Sequence, residues 1–306
     1  MVNFGRKYLA ELMLLLTAVV WGFAFVPQRV AMETMGPLAF NAVRFSLGGV
    51  ILLPLLWVSR RKQSGEVRSK AAGRSVVLGG VLSGAALFLA AATQQIGMVY
   101  TTAGKAGFIT GMYVILVPVL GIFLGKKMTG AVWVAGVLSV AGLYMLSVQG
   151  RESINQGDIW VLISAFFWAA QIHIIDQYAR RIPALMLAVL QFLSCALLSG
   201  LAALVFEQQP IYWTGMGIVS VLYVGVFSTA LAFSLQVYAQ QISQAGPAAV
   251  VMNLEGVFAA IAGWLLLNEA LPPRGILGGI LMFAGMFIVV WEPKKTELPG
   301  NIKERG

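Results

Sequence analysis

The sequence predicts an all-α integral membrane protein of ten transmembrane helices arranged as two five-helix inverted repeats. Three observations carry this expectation. Hydrophobic residues make up 59% of the 306 and charged residues only 11%, with a mean hydropathy of +0.83. A soluble domain carries roughly 25% charged residues, so this chain could not solvate its own surface in water. The apolar residues fall into ten runs, most of them near the roughly 20 residues that cross the hydrocarbon as helix. Lastly, residues recur in register between the two halves.

The runs are Leu9 to Val26, Leu38 to Val58, Val76 to Met98, Ala106 to Leu124, Ala131 to Val148, Ile159 to Tyr178, Leu185 to Phe206, Met216 to Ala239, Ala248 to Leu267, and Ile276 to Trp291. The first follows Arg6 and Lys7 and so imitates a secretory leader. Its apolar stretch is too long and no small-residue cleavage site follows, so it reads as a span. Barrel strands would need strict alternation over about ten residues, which the runs lack. Short connections, Met35-Gly36-Pro37 and Ser243 to Pro247, make antiparallel hairpins. The fourth and ninth runs are the most diluted by small and polar residues. Ser59 to Arg74 reads as a basic loop, and residues 293–306 as a flexible polar tail.

Charge sets orientation. Arg6, Lys7, the loop cluster Arg60 to Arg74, Lys126, Lys127, Arg180, Arg181 and the lysines and arginine of the tail fall on one side; Arg29, Lys105, Arg151 and Arg274 fall on the other. The positive-inside bias then places both termini in the cytoplasm, in a multi-pass protein of the cytoplasmic (inner) membrane. The net charge of +9 is therefore a topology signal, and nucleic acid is not an expected partner. One cysteine, Cys195, and one histidine, His173, exclude an intramolecular disulfide and an ordinary Cys/His zinc site. No metal and no cofactor are expected. The expected partners are a small-molecule substrate, membrane lipids and, as one permitted assembly, a second copy.

The halves divide at residues 1–150 and 151–292. Ala18, Trp21 and Phe45 match Ala165, Trp168 and Phe192 at an offset of 147, which also pairs Arg44 with Gln191. Gln94, Ala103-Gly104 and Gly121 match Gln236, Ala245-Gly246 and Gly263 at 142; Gly136, Ala141 and Gly142 match Gly279, Ala284 and Gly285 at 143. Five spans is an odd number, so the second half enters the membrane from the opposite side, as in many secondary transporters.

Four segments carry a resemblance. They are Trp21-Gly22-Phe23-Ala24-Phe25, Phe40-Asn41-Ala42-Val43-Arg44-Phe45, Gly107-Phe108-Ile109-Thr110 through Val117-Pro118, and Glu255-Gly256-Val257-Phe258 through Leu267-Asn268-Glu269. In order and spacing the chain resembles the drug/metabolite transporter superfamily, specifically its ten-helix EamA-type permeases. The resemblance implies export or uptake of metabolites. In two places the chain departs from the pattern. Lys126 or Lys127 stands for a common acid after the fourth span, and Gly256 for a common proline.

Glu255 is the foremost candidate. It lies about mid-span, where an acid costs roughly 2.5–3.5 kcal/mol to insert and must face a cavity or a partner. Proton exchange or a structural hydrogen bond, to Asn253 or a neighbouring helix, would each explain it. Tyr113 is its repeat counterpart and should face it. Arg44 either holds a substrate carboxylate or clamps local acceptors. Trp21 and Trp168, deep and equivalent, are cavity walls or helix packing. Gln28 and Gln171 share helical faces with those tryptophans. His173 and Asp176 share a face and could relay protons, although Asp176 also suits an ordinary pair with Arg180. Lys105 reads as an interface anchor, and Pro118, which lacks an N–H, as a hinge.

No Walker motif is present, so ATP is not the direct energy source. The reading is a secondary transporter, not an enzyme. It would move an amino acid-like or amphiphilic drug-like solute by alternating access, with export as the expected direction and Glu255, with His173, as the route for proton coupling. The expected binding residues are Trp21, Arg44, Tyr113, Trp168, Gln171, Asn253 and Glu255. The alternatives are an uncoupled facilitator of the same fold and, more remotely, an intramembrane enzyme acting on lipid.

Overall fold

A computed structural model describes residues 4–62, 73–147, 154–208, 210–267 and 271–292. The tail 293–306, most of the basic loop, and Asn268-Glu269 lie outside the described residues. Ten helices among these are long and apolar enough to span a bilayer. We label them α1 (Gly5–Ala31), α2 (Pro37–Arg61), α3 (Arg74–Tyr100), α4 (Ala103–Phe123), α5 (Gly130–Ser147), α6 (Gln156–Tyr178), α7 (Ala184–Phe206), α8 (Gly215–Gln240), α9 (Ala245–Leu266) and α10 (Pro273–Val290). Their outward faces carry Leu12, Leu16, Val50, Leu55, Val81, Leu201 and Ile280, an exposed apolar surface that only lipid can cover.

Some helix starts are satisfied by side chains. Both carboxylate oxygens of Glu207 accept from the first turn of α2, from Leu38 N at 2.7 Å and Ala39 N at 2.9 Å. At α6, Asn155 and Asp158 form a reciprocal capping box. Orphan N–H groups near the membrane surface are thus paired without relying on water.

Most of the helix packing is preserved when the first five helices are exchanged with the last five. α3 packs on α6 as α8 packs on α1; α3 meets α7 as α8 meets α2; α4 meets α6 as α9 meets α1. The pairs α2–α7, α5–α10 and α4–α9 close across the halves. A two-fold axis between the halves demands this pairing. Close approach is bought with glycine at α5–α10, where a Cβ on Gly142 would run into Gly278 O and one on Gly278 into Gly142 O.

Two spans are interrupted. α4 is built from helices Ala103–Thr110 and Tyr113–Phe123, α9 from Ala245–Met252 and Glu255–Leu267. The breaks are tightened turns at equivalent positions, with matching bonds. Met112 N to Ile109 O (3.1 Å) and Val114 N to Gly111 O (3.1 Å) are mirrored by Leu254 N to Val251 O (3.2 Å) and Gly256 N to Asn253 O (3.2 Å). Pro118 sits inside the continuous second piece of α4, so the break falls at Gly111–Met112 instead. α8 holds a ten-residue π-helix, Val224–Phe233.

Candidate functional site

The breaks of α4 and α9 meet at the centre of the molecule. Gly111 has no side chain, and a Cβ there would lie 2.7 Å from Asn253 Oδ1. Each second piece opens with a polar group, Tyr113 in α4 and Glu255 in α9. The Tyr113 hydroxyl stands beside the Glu255 carboxyl, and Glu255 Oε1 completes no hydrogen bond. α1 is drawn against this point by Gly22, whose added Cβ would fall 2.7 Å from Glu255 O and 2.8 Å from Ala259 N.

A cavity of about 40 Å³ lies here, lined by Trp21, Phe25, Gln28, Arg44, Gln94, Thr110, Tyr113, Trp168, Ile172, Ser228, Phe233, Gln236 and Glu255. A cavity needs about 10–15 Å³ to admit one water, so this one admits water and is too small for a metabolite. Its aromatic wall centres on Phe233, 4.7 Å from Trp21 and 5.8 Å from Trp168 in a stacked pair. The repeat partners touch: Trp21 and Trp168 have ring centroids 6.3 Å apart, Phe45 and Phe192 6.2 Å.

The π-helix shapes this wall. Widening the turn re-aims carbonyls that an α-helix would keep within its own ladder. Trp21 Nε1 donates to Ser228 O at 3.2 Å, and Thr17 Oγ1 to Ala232 O at 3.1 Å. Phe233, which closes the π segment, did not emerge from the sequence, since one phenylalanine among 17 carries no signal and its repeat counterpart is Ala91.

Arg44 is buried at 2% exposure. Nε donates to Asn41 Oδ1 at 2.8 Å and Nη1 to Gln28 Oε1 at 3.1 Å. The guanidinium lies 4.6 Å over the Phe45 ring. These contacts clamp the side chain, and Nη2 is left without a hydrogen bond. Three unsatisfied buried groups therefore belong to residues lining one cavity: Arg44 Nη2, Trp168 Nε1 and Glu255 Oε1. Most buried polar groups in folded proteins are paired, so such a concentration points to a place where a solute or water makes the missing bonds.

Not every candidate joins this group. Gln171 lies behind the cavity, where its amide pairs with that of Gln236 (Gln236 Nε2 to Gln171 Oε1, 3.1 Å). Asn253 is fully buried at the break with its side-chain amide unpaired, and it makes no bond to Glu255. His173 is away from Glu255. Its Nε2 meets Val117 O at 2.8 Å and its Nδ1 meets Lys126 Nζ at 3.2 Å, while Lys126 pairs with Asp176 at 2.7 Å. A carbonyl on one side and an ammonium on the other select the neutral ring with its proton on Nε2. Asp176 also reaches Arg180 at 3.5 Å. Lys105, expected to anchor at the interface, is bound to Asp158 at 2.7 Å. That carboxylate, at the start of α6, reads in the sequence only as a helix cap.

Two vestibules flank the cavity. One is lined by the end of α4, α6 around His173 and Asp176, and the start of α9; the other by the start of α4, α1 around Val26 and Arg29, and the second piece of α9. His173 and Asp176 correspond to Val26 and Arg29 at the offset of 147, so the vestibules are counterparts.

Comparison with known proteins agrees with this architecture. The model of the EamA-like transporter family matches residues 8–148 and again 155–291. The chain belongs to the EamA-like transporter family. It is similar to a protein named as an uncharacterized transporter of Archaeoglobus fulgidus, 34% identical over 285 residues, which span 93% of this chain and 86% of that one. It is also similar to the uncharacterized transporter YoaV of Bacillus subtilis, 26% identical over 278 residues, 88% and 92% of the respective chains. A solved crystal structure shares the fold, with a TM-score of 0.75 at 17% identity, covering 91% of this chain and 95% of the other. The protein is thus a multi-pass membrane protein of a transporter family, an EamA-type permease of the drug/metabolite transporter superfamily.

Proposed function

We propose that this permease is a secondary transporter for a small zwitterionic, amino acid-like solute with an apolar side chain, moved by alternating access. One observation carries the reading. Arg44 Nη2 and Glu255 Oε1, of opposite formal charge, line one aromatic cavity and neither completes a hydrogen bond within the protein. A carboxylate suits the guanidinium, a cationic nitrogen suits Glu255, and an apolar side chain suits Trp21, Trp168 and Phe233. An amphiphilic cation would use the wall and Glu255 but leave Arg44 idle. Relatives named as transporters favour carriage over an intramembrane lipid enzyme.

The cavity is too small for such a solute, so binding requires movement. The matched breaks in α4 and α9, the pairing preserved on exchange of halves, and the counterpart vestibules support an inverted repeat that rocks about the centre. The lysine and arginine bias supports cytoplasmic termini in the cytoplasmic membrane, with the Lys126 vestibule facing inward. Glu255 is the group placed to exchange a proton as the cavity changes sides. Flux through proteoliposomes with and without an imposed pH gradient tests this. The coupling role is wrong if Glu255→Gln carries solute normally and still responds to the gradient.

A further inference from the structure

The two hairpins that lead into the broken helices are tied to neighbouring helices by hydrogen bonds at equivalent positions. In one, the hydroxyl of Thr101, in the α3–α4 connection, donates to Asp158 Oδ1 on α6 at 2.7 Å. In the other, the hydroxyl of Ser243, in the α8–α9 connection, donates to Glu11 Oε1 on α1 at 3.3 Å. Thr101 and Ser243 are related by the offset of 142, and Glu11 and Asp158 by 147, the offsets that also relate the rest of the halves. Both acids and both hydroxyls are buried. Sequence similarity alone did not mark them, because glutamate and aspartate, like serine and threonine, match in chemistry and not in letter.

Each contact ties the hairpin that feeds a broken helix to the first turns of the central helix beside it. Thr101 leads into the first piece of α4 and Ser243 into the first piece of α9, the pieces that end at the breaks beside Tyr113 and Glu255. We propose that Thr101–Asp158 and Ser243–Glu11 are the two gates of the transporter, each holding one vestibule closed to the central cavity and each released when that side opens. This rests on the alternating-access reading above.

Asp158 also receives Lys105 Nζ at 2.7 Å and Asn155 N at 2.9 Å, and Pro247 occupies the place equivalent to Lys105. The Thr101 contact is the shorter by 0.6 Å, read from 2.7 against 3.3 Å. A bond to a charged acceptor contributes enough that its loss changes the open population on that side by about tenfold or more.

The experiment needs no transported solute. Ser228 lines the cavity and is buried, so Ser228→Cys reports entry of a membrane-impermeant thiol reagent. Cys195, also buried, is replaced by serine to clear the background. The reagent is applied to right-side-out and to inverted vesicles. Thr101→Val, or Asp158→Asn should Thr101→Val not accumulate, is expected to raise labelling about tenfold from the Lys105 side alone. Ser243→Ala is expected to raise it from the opposite side alone. Labelling that is unchanged by these variants, or raised on the same side by both, overturns the gates while leaving access to the cavity standing. Absence of labelling from either side in every variant overturns the access reading itself, and the gates with it. Thermal melting of each purified variant confirms that the folded protein was compared.

Discussion

Arg44→Gln separates a binding arginine from a merely structural one. The guanidinium spends Nε on Asn41 and Nη1 on Gln28, stacks on Phe45, and keeps Nη2 in reserve. If a solute carboxylate takes Nη2, the substitution removes a charge-assisted hydrogen bond worth about 1.5–3 kcal/mol, or roughly 10–150-fold in affinity. It also leaves Asn41 Oδ1 and Gln28 Oε1 without their donor, at about 1–3 kcal/mol each in stability. The two effects are separated by the choice of ligand. Trp21 and Trp168 line the cavity, so their fluorescence reports titration of purified protein in detergent. The probes are an apolar α-amino acid and its methyl ester, which keeps the ammonium and side chain but not the carboxylate charge. The amino acid should weaken by the factor above in Arg44→Gln, and the ester should not. Equal weakening of both would show that Arg44 only clamps Asn41 and Gln28. Arg44→Lys should fall between, because the charge remains but the planar fork is lost.

Other consequences follow from the same geometry. Glu255→Gln should abolish the response of flux to a pH gradient while leaving solute exchange at equal pH measurable in proteoliposomes. Gly142→Val should lower the melting temperature in detergent, because the side chain meets Gly278 backbone and can be housed only by separating α5 from α10, at about 1–3 kcal/mol. Lys126→Met should be milder, about 1 kcal/mol, because the Lys126–Asp176 bridge is partly exposed and Asp176 keeps Arg180; the same melting assay checks it. Phe233→Ala should weaken binding of apolar solutes in the fluorescence titration, since the ring touches Trp21, Phe45, Trp168 and Phe192 at once.

Much of the architecture was legible because the bilayer imposes simple rules on length and charge. The ten spans come from hydropathy alone, and the offsets of 147 and 142 identified residues that the fold brings together. Trp21 with Trp168, Phe45 with Phe192 and Tyr113 with Glu255 are contacts between repeat partners. The backbone breaks were not legible. A proline at 118 drew attention within α4, whereas the chain tightens at Gly111–Met112 and Asn253–Leu254, where no proline stands. The π-helix left no trace either; the contacts its carbonyls make are with α1, about 200 residues away in sequence. Facing was equally obscure: a helix apolar on every side offers no stripe to say which residues look inward. That is why Phe233 went unseen and why Gln171 was placed in the cavity it only borders. Lys105 and Asp158 are 53 residues apart in sequence, and no local pattern announces their pairing.

The central claim is that solute crosses the membrane through the cavity between Arg44 and Glu255. The most direct test loads proteoliposomes with a small-molecule cell extract and identifies by mass spectrometry which compounds leave. We expect saturable loss of at least one zwitterionic metabolite, much slowed by Arg44→Gln, with protein-free liposomes retaining it. Retention of every compound to the level of protein-free liposomes, or loss indifferent to Arg44 and Glu255 substitution, would contradict the account.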